Sequence, residues 1–139
     1  MAGRDHPRVT AAEVQALAAE LGCRPTDLVT FTTRLRFARS SPRKARLVAD
    51  MIRGRRVDEA LAMLQFSPRR ASVMVGKALK AAVADAETVG DTTPDQLVVT
   101  ESRVDEGPII KRFRPKDRGR AHPIQKKTSH IVIGVEEMN

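Results

Sequence analysis

The sequence predicts an α+β protein with a cationic arm, and three observations carry that reading. The first is a core with almost no aromatic residues: 41% of the chain is hydrophobic, 3% is aromatic, and there is no Trp or Tyr. A core of Ala, Val, Leu, Ile and Met suits helices packed on a sheet or on each other. The second is that helical and strand periodicities occupy separate stretches of the 139 residues, enough for one domain and a small appendage. The third is "KRFRPKDRGRAHPIQKKTSH", residues 111–130, where eight of twenty residues are Lys or Arg and Asp117 is the one acid.

The elements follow in order. Thr10-Ala-Ala-Glu13 has the form of a capping box, and Val14, Leu17, Ala18 and Leu21 then fall on one helical face up to Gly22. "CRPTDLV" is a possible start of a second short helix. Residues 31–39 alternate around Leu35 and Phe37 as a strand. Ser41 and Pro42 suit the N-cap and first position of a helix with Ala45, Val48, Ala49 and Ile52 as its apolar stripe and Gly54 past its end. Arg43 and Lys44 oppose the dipole in its first turn, which costs stability unless an anion lies close.

Residues 57–66 predict a short helix with Ala60, Leu61 and Leu64 inward. Ser67 and Pro68 repeat the earlier start and open a long helix to about Val89, buried through Val75, Ala78, Leu79, Ala82 and Ala86. Gly76 is a weak point inside it. "DQLVVTESRVDEG", "PIIKRFR" and "KKTSHIVIGVEE" read as strands, the last with Ile131, Ile133 and Val135 on one face. If residues 109–114 and 126–135 pair, the basic segment between them is an extended β-hairpin or a long loop. Ten residues of strand reach roughly 33 Å. Like charge and low apolar content leave such an arm to order fully only among phosphates.

The formal charge is +8, and it is unevenly placed. Residues 31–56 net +8 and residues 107–139 net +5, whereas residues 1–30 net −1 and residues 57–106 net −4. Two cationic blocks favour a polyanionic partner, nucleic acid before an anionic membrane surface, with an inert basic surface as the bland alternative. The helix at residues 42–52 is too Ala-rich and too poor in aromatic anchors for a lipid surface. No apolar run approaches the ~20 residues that span a bilayer, and the N-terminus lacks a signal-peptide core. The single Cys23 fits a reducing cytoplasm. A soluble, intracellular chain is expected.

Enzymatic function is not expected. His6, His122 and His130 lack ligand spacing, Cys23 has no nearby base, and Asp105-Glu106 reads as an acidic turn before a strand. No cofactor and no metal are expected.

"ARSSPRKARLVADMIRGRRVDEALAMLQF", "VTESRVDEGPIIKRFRPKDRGRA" and "KKTSHIVIGVEE" closely resemble the bacterial-type L twenty-two family of large-subunit ribosomal proteins. The similarity runs in register from about Thr33 to Val135, carried by "SPRKARLV", "VDEGP", "GRA" and "TSHI" in that order. The resemblance implies helices packed on a small antiparallel sheet with a long protruding β-hairpin at about 109–135. Residues 33–139 would then form a ribosomal RNA-binding domain, and residues 1–32 a short helical extension. It implies a structural protein of the large ribosomal subunit that binds its RNA, supports assembly, and lines the peptide exit tunnel with the hairpin tip. The implied partners are large-subunit ribosomal RNA, neighbouring ribosomal proteins and the nascent polypeptide near the tip, in the cytoplasm, with no membrane and no homo-oligomer. Carried over by position, Arg39, Ser41, Arg43, Lys44 and Arg46 would touch RNA from the domain. Lys111, Arg112, Arg114, Lys116, Arg118, Arg120, Lys126, Lys127, Thr128 and His130 would touch it from the arm.

Three features depart from the family pattern. Lys116-Asp117 stands where Arg-Ala is usual, Asp85 stands where Asn is common, and residues 1–30 are not a basic tail. That extension, "VTAAEVQALAAELGCRPTDLV", has a helix-turn-helix flavour, so a nucleic-acid-binding regulator is the alternative function. Its candidate second helix lacks the basic and amide residues that read a groove.

Overall fold

The computed structural model describes residues 10–24, 30–90 and 92–138. In chain order these form α1 (Ala11–Leu21), β1 (Phe31–Ala38), α2 (Pro42–Ile52), α3 (Val57–Phe66), α4 (Arg70–Gly90), a 3₁₀ turn (Pro94–Gln96), β2 (Leu97–Glu106), β3 (Ile110–Pro115), β4 (Ala121–Lys126) and β5 (Ser129–Glu137). The expected second N-terminal helix falls on residues outside those described.

β5 is the middle strand of an antiparallel sheet ordered β1-β5-β2. On one face of it Ile131, Ile133 and Val135 are all fully buried. They meet Leu35, Thr33 and Phe31 on β1, and Val104, Ser102 and Val99 on β2. Helices cover this face: α2 packs on β2, α4 on β1 and β5, and α3 lies against α4. The stripes expected on α2 and α4 are buried as read, together with Ala60 and Leu64 of α3, and Leu61 is partly buried. Alanines at 45, 49, 78, 82 and 86 bring the helix axes close to the sheet. Each fully buried Ile, Leu or Val contributes roughly 1.5–3 kcal/mol.

Several local expectations change. The alternation expected through Leu35 and Phe37 breaks at a bulge between Leu35 and Ala38, where Phe37 takes φ 56°. The extra residue turns Phe37 outward and gives the buried place opposite Ser129 to Ala38. Ser41 is the N-cap of α2 by position, with Pro42 at the first turn, but its side chain makes no capping hydrogen bond. Ser67 does not open α4. It ends α3 in extended conformation, and α4 starts at Arg70. On α1 the expected apolar face splits: Val14 and Ala18 are buried, while Leu17 and Leu21 are exposed. The capping box is present, with Thr10 Oγ1 accepting from the Glu13 backbone and Glu13 Oε2 accepting from the Thr10 backbone at 2.8 Å. The Thr10 backbone N–H, and after it the Thr10 hydroxyl, hold the Glu13 carboxyl below its usual pKa. Gly22 closes the helix at φ 67°, a left-handed C-cap.

The expected pairing of residues 109–114 with 126–135 is replaced by two consecutive ladders. β2 pairs with β5 down to Glu106 opposite Ser129, and β3 pairs with β4 from Ile110 opposite Lys126 to Pro115 opposite Ala121. The reason is burial: β5 is taken by the sheet on both edges, which leaves only residues 121–126 to pair with β3. One ribbon therefore runs out of the sheet and becomes the arm.

Candidate nucleic-acid interface

The arm starts at a tight joint. Gly107 N–H donates to the Thr128 carbonyl at 3.0 Å, and Thr128 Oγ1 donates to the Pro108 carbonyl at 2.7 Å. A Cβ at position 107 would collide with Thr128 Oγ1 and lie 3.2 Å from the Thr128 carbonyl, so only glycine fits. Thr128 is buried. Its hydroxyl is committed to this joint, so its place is that of a strut at the arm's base.

Beyond the joint the arm is exposed, apart from a half-buried Ile110. Lys111, Arg112, Arg114, Lys116, Arg118, Arg120, Lys126 and Lys127 all face solvent. Among the described residues none of them forms an ion pair, with Asp117 or with any other acid. The tip is a closed turn, with Lys116 N–H donating to the Arg120 carbonyl at 2.7 Å and Arg118 and Gly119 at φ 55° and 69°. Directly paired residues of an antiparallel ladder share a face. One face of the arm therefore carries Ile110, Arg112, Arg114, His122, Ile124 and Lys126. The other carries Lys111, Phe113, Pro115, Ala121, Pro123 and Gln125. The regular alternation of Arg112 and Arg114 stops at Pro115, where the tip begins.

The second cationic block divides into two groups. Arg46 Nε donates to the Val104 carbonyl at 3.2 Å and its guanidinium lies 3.9 Å from Glu106. Arg53 donates to the Ser102 carbonyl and pairs with Asp50 at 3.1 Å. Arg55 donates to the Met51 carbonyl at 2.9 Å, and Arg56 to the Asp95 carbonyl at 2.8 Å. Arg46 and Arg53 fasten α2 to β2 and Arg56 fastens its exit to the 3₁₀ turn, whereas Arg55 bonds back onto α2 itself. Arg34, Arg36, Arg39, Arg43 and Lys44 have no such partner among the described residues.

Arg39, Ser41, Lys44 and Leu47 line a cleft of about 480 Å³ together with Arg69 and Arg70. A second cleft of about 490 Å³ shares Arg39, Ser40, Ser41 and Arg70 and continues to Ile110, Gln125, Lys126, Lys127 and Thr128 at the root of the arm. The two charge blocks, far apart in sequence, thus form one trough. The N-termini of α2 and α4 both open beside it. Neither has an acid in its first turn, and Ser41 leaves the first amides of α2 uncapped. Uncapped amides beside free cations favour an anion. Arg43 is exposed on α2 but lines neither cleft. Arg69 and Arg70 were missed by sequence reasoning, although "SPRR" repeats the cationic pattern of "SPRK" and could have flagged them.

His130 lies apart from the trough. Its Nδ1 accepts from the Phe37 backbone N–H at 3.1 Å and its ring meets the Phe37 ring edge-on at 4.9 Å. Asp85, the departure on α4, accepts from Thr33 Oγ1 at 3.3 Å and so keeps an intraprotein contact. Among the described residues no group of His, Cys, Asp and Glu could hold a metal, and no helix is long and apolar enough to cross a membrane.

A helix-backed antiparallel sheet thus extends a two-stranded cationic arm with a basic trough at its root. Residues 33–136 match the family described as ribosomal protein L22p/L17e, and the chain belongs to that family, which is structural and non-enzymatic. It is 55% identical over 104 residues to the large ribosomal subunit proteins uL22 of Lactobacillus gasseri and Lactobacillus johnsonii, covering 75% of this chain and 89% of each relative. The uL22 of Lactobacillus helveticus is 53% identical over the same lengths.

Proposed function

We propose that the chain is a structural constituent of the large ribosomal subunit in the cytoplasm, and that it binds large-subunit ribosomal RNA and supports assembly. The arm enters the RNA and its tip lines the peptide exit tunnel beside the nascent polypeptide, and neighbouring ribosomal proteins complete the contacts. The observation that carries this reading is the continuous cationic surface from Arg39, Ser41 and Lys44 through Arg70, Lys126 and Lys127 to Arg112, Arg114, Arg118 and Arg120, which no acid among the described residues pairs. Each phosphate neutralised there releases counterions. Arg43, Lys111 and Lys116 add exposed charge to the same surface. Residues 33–139 form the RNA-binding domain and residues 1–32 an extension. The alternative of a regulator reading nucleic acid through its N-terminal helices has little to stand on, because the described part of that extension holds one cation, Arg24, and it pairs with Glu137 at 2.8 Å.

Sucrose-gradient sedimentation of a cell extract tests the proposal. The chain is expected with large subunits after a moderate salt wash, and recovery in the free pool alone would refute it.

A further inference from the structure

Apart from Lys111 at its base, the second face of the arm carries no cation. Phe113 is 74% exposed and lies directly opposite Pro123, with Pro115 opposite Ala121 beside them. Phe113 cannot join the two isoleucines of the arm, because the pleat puts Ile110 and Ile124 on the other side. A flat apolar strip one ribbon wide is thus held out in water, far from the core.

We infer that this strip, centred on Phe113 and Pro123, is a stacking platform for unpaired nucleobases of the RNA whose phosphates meet the arm's cations. The inference rests on the proposed RNA-binding role and gives it a second contact chemistry. Charge complementarity selects the occupant. Lys111, Arg112, Arg114 and Lys116 flank the strip, so whatever covers Phe113 sits within a strongly positive field. Size selects it too: two strands about 4.8 Å apart offer room for one or two aromatic rings, far below the ~800 Å² per partner of a protein–protein interface. A nucleobase supplies a ring-sized apolar face on a polyanionic backbone, and such faces stack on aromatic side chains without regard to sequence.

The test uses the full chain, an in vitro transcript of its large-subunit ribosomal RNA, and Phe113→Tyr, Phe113→Leu and Phe113→Ala variants. Position 113 is exposed, so the variants keep the fold. Stacking predicts that Tyr binds as the parent does, while Leu and Ala bind on the order of tenfold more weakly. All four should show one salt slope, because no phosphate contact is lost. Ultraviolet irradiation of the parent complex should crosslink RNA to the peptide containing Phe113. Undiminished binding by Phe113→Leu, with no crosslink at that peptide, would overturn the platform and leave RNA binding standing, the result expected if an apolar polypeptide covers the strip. Failure of the parent chain to bind the transcript would overturn both.

Discussion

Phe37 and His130 lock the edge of the sheet where the chain leaves β1 for the trough. Phe37 sits in the left-handed region at φ 56°, and its N–H, turned away from the ladder, donates to His130 Nδ1 at 3.1 Å. Nδ1 is the acceptor in that bond. His130→Ala is expected to cost about 1 kcal/mol of stability, one hydrogen bond and one edge-on ring contact. Urea unfolding measures it.

Gly107→Ala is expected to damage the arm from its root. The new methyl would meet Thr128 Oγ1, already held by the Pro108 carbonyl, and the Thr128 backbone behind it. Overpacking of this kind costs about 1–3 kcal/mol. Hydrogen exchange should show protection lost first at the Gly107 and Thr128 end of the ribbon. Protection unchanged there would mean that the joint has room to yield.

Most of the fold was legible because its signals are local. The stripes of α2 and α4 have period 3.6, and Ile131, Ile133 and Val135 alternate, so burial follows from spacing alone. What was not legible depends on partners distant in sequence. Nothing in residues 129–137 says that both edges of β5 are taken, and that fact moved the arm's pairing onto residues 121–126. The trough divides in the same way. Arg39 and Lys44 were readable as cations at a helix start. Arg46 carries the same charge two residues on from Lys44, yet α2 packs on β2 and its guanidinium meets the Val104 carbonyl instead. Arg69 and Arg70 enter only because α4 begins beside α2.

Gly76→Ala should stabilise the protein. A Cβ there would lie 3.9 Å from Leu64 Cδ1, an ordinary contact, and the helix backbone needs no glycine. The gain expected is about 1 kcal/mol from helix propensity, read as a higher urea midpoint with an unchanged m-value. A lower midpoint would mean that the close approach of α3 to α4 requires glycine.

Stability should depend on pH through two carboxyls joining α3 to the 3₁₀ turn. The pKa of Asp58 is raised, first by a hydrogen bond with Asp95 that favours the protonated acid, then by partial desolvation and by the Asp95 charge, with Arg56 opposing. A carboxyl whose folded pKa is raised contributes stability below its unfolded pKa and loses it as pH rises through the folded value. Asp95→Asn removes the repulsion and leaves the Arg56 bond, which uses the Asp95 backbone carbonyl. The variant should melt higher than the parent at neutral pH, and the difference should shrink as acid protonates Asp58. Parallel melting curves across the acid range would refute the coupling.

Arg70 and Arg46 offer a paired test of the interface, because they carry one charge each in opposite employment. Arg70 lines both clefts of the trough with no acid paired to it among the described residues. Arg46 is bonded to Val104 and near Glu106. If the trough meets phosphate, Arg70→Ala should lower the slope of log affinity against log salt by about 0.7–0.9, one counterion's worth, with stability almost unmoved. Arg46→Ala should do the reverse, losing about 1 kcal/mol of stability while the slope stays near the parent value. Net charge falls equally in both variants, so a general field effect would move both slopes alike. Equal slopes for the two variants would therefore show that RNA responds to the overall charge of the chain and not to the trough between α2, α4 and the arm.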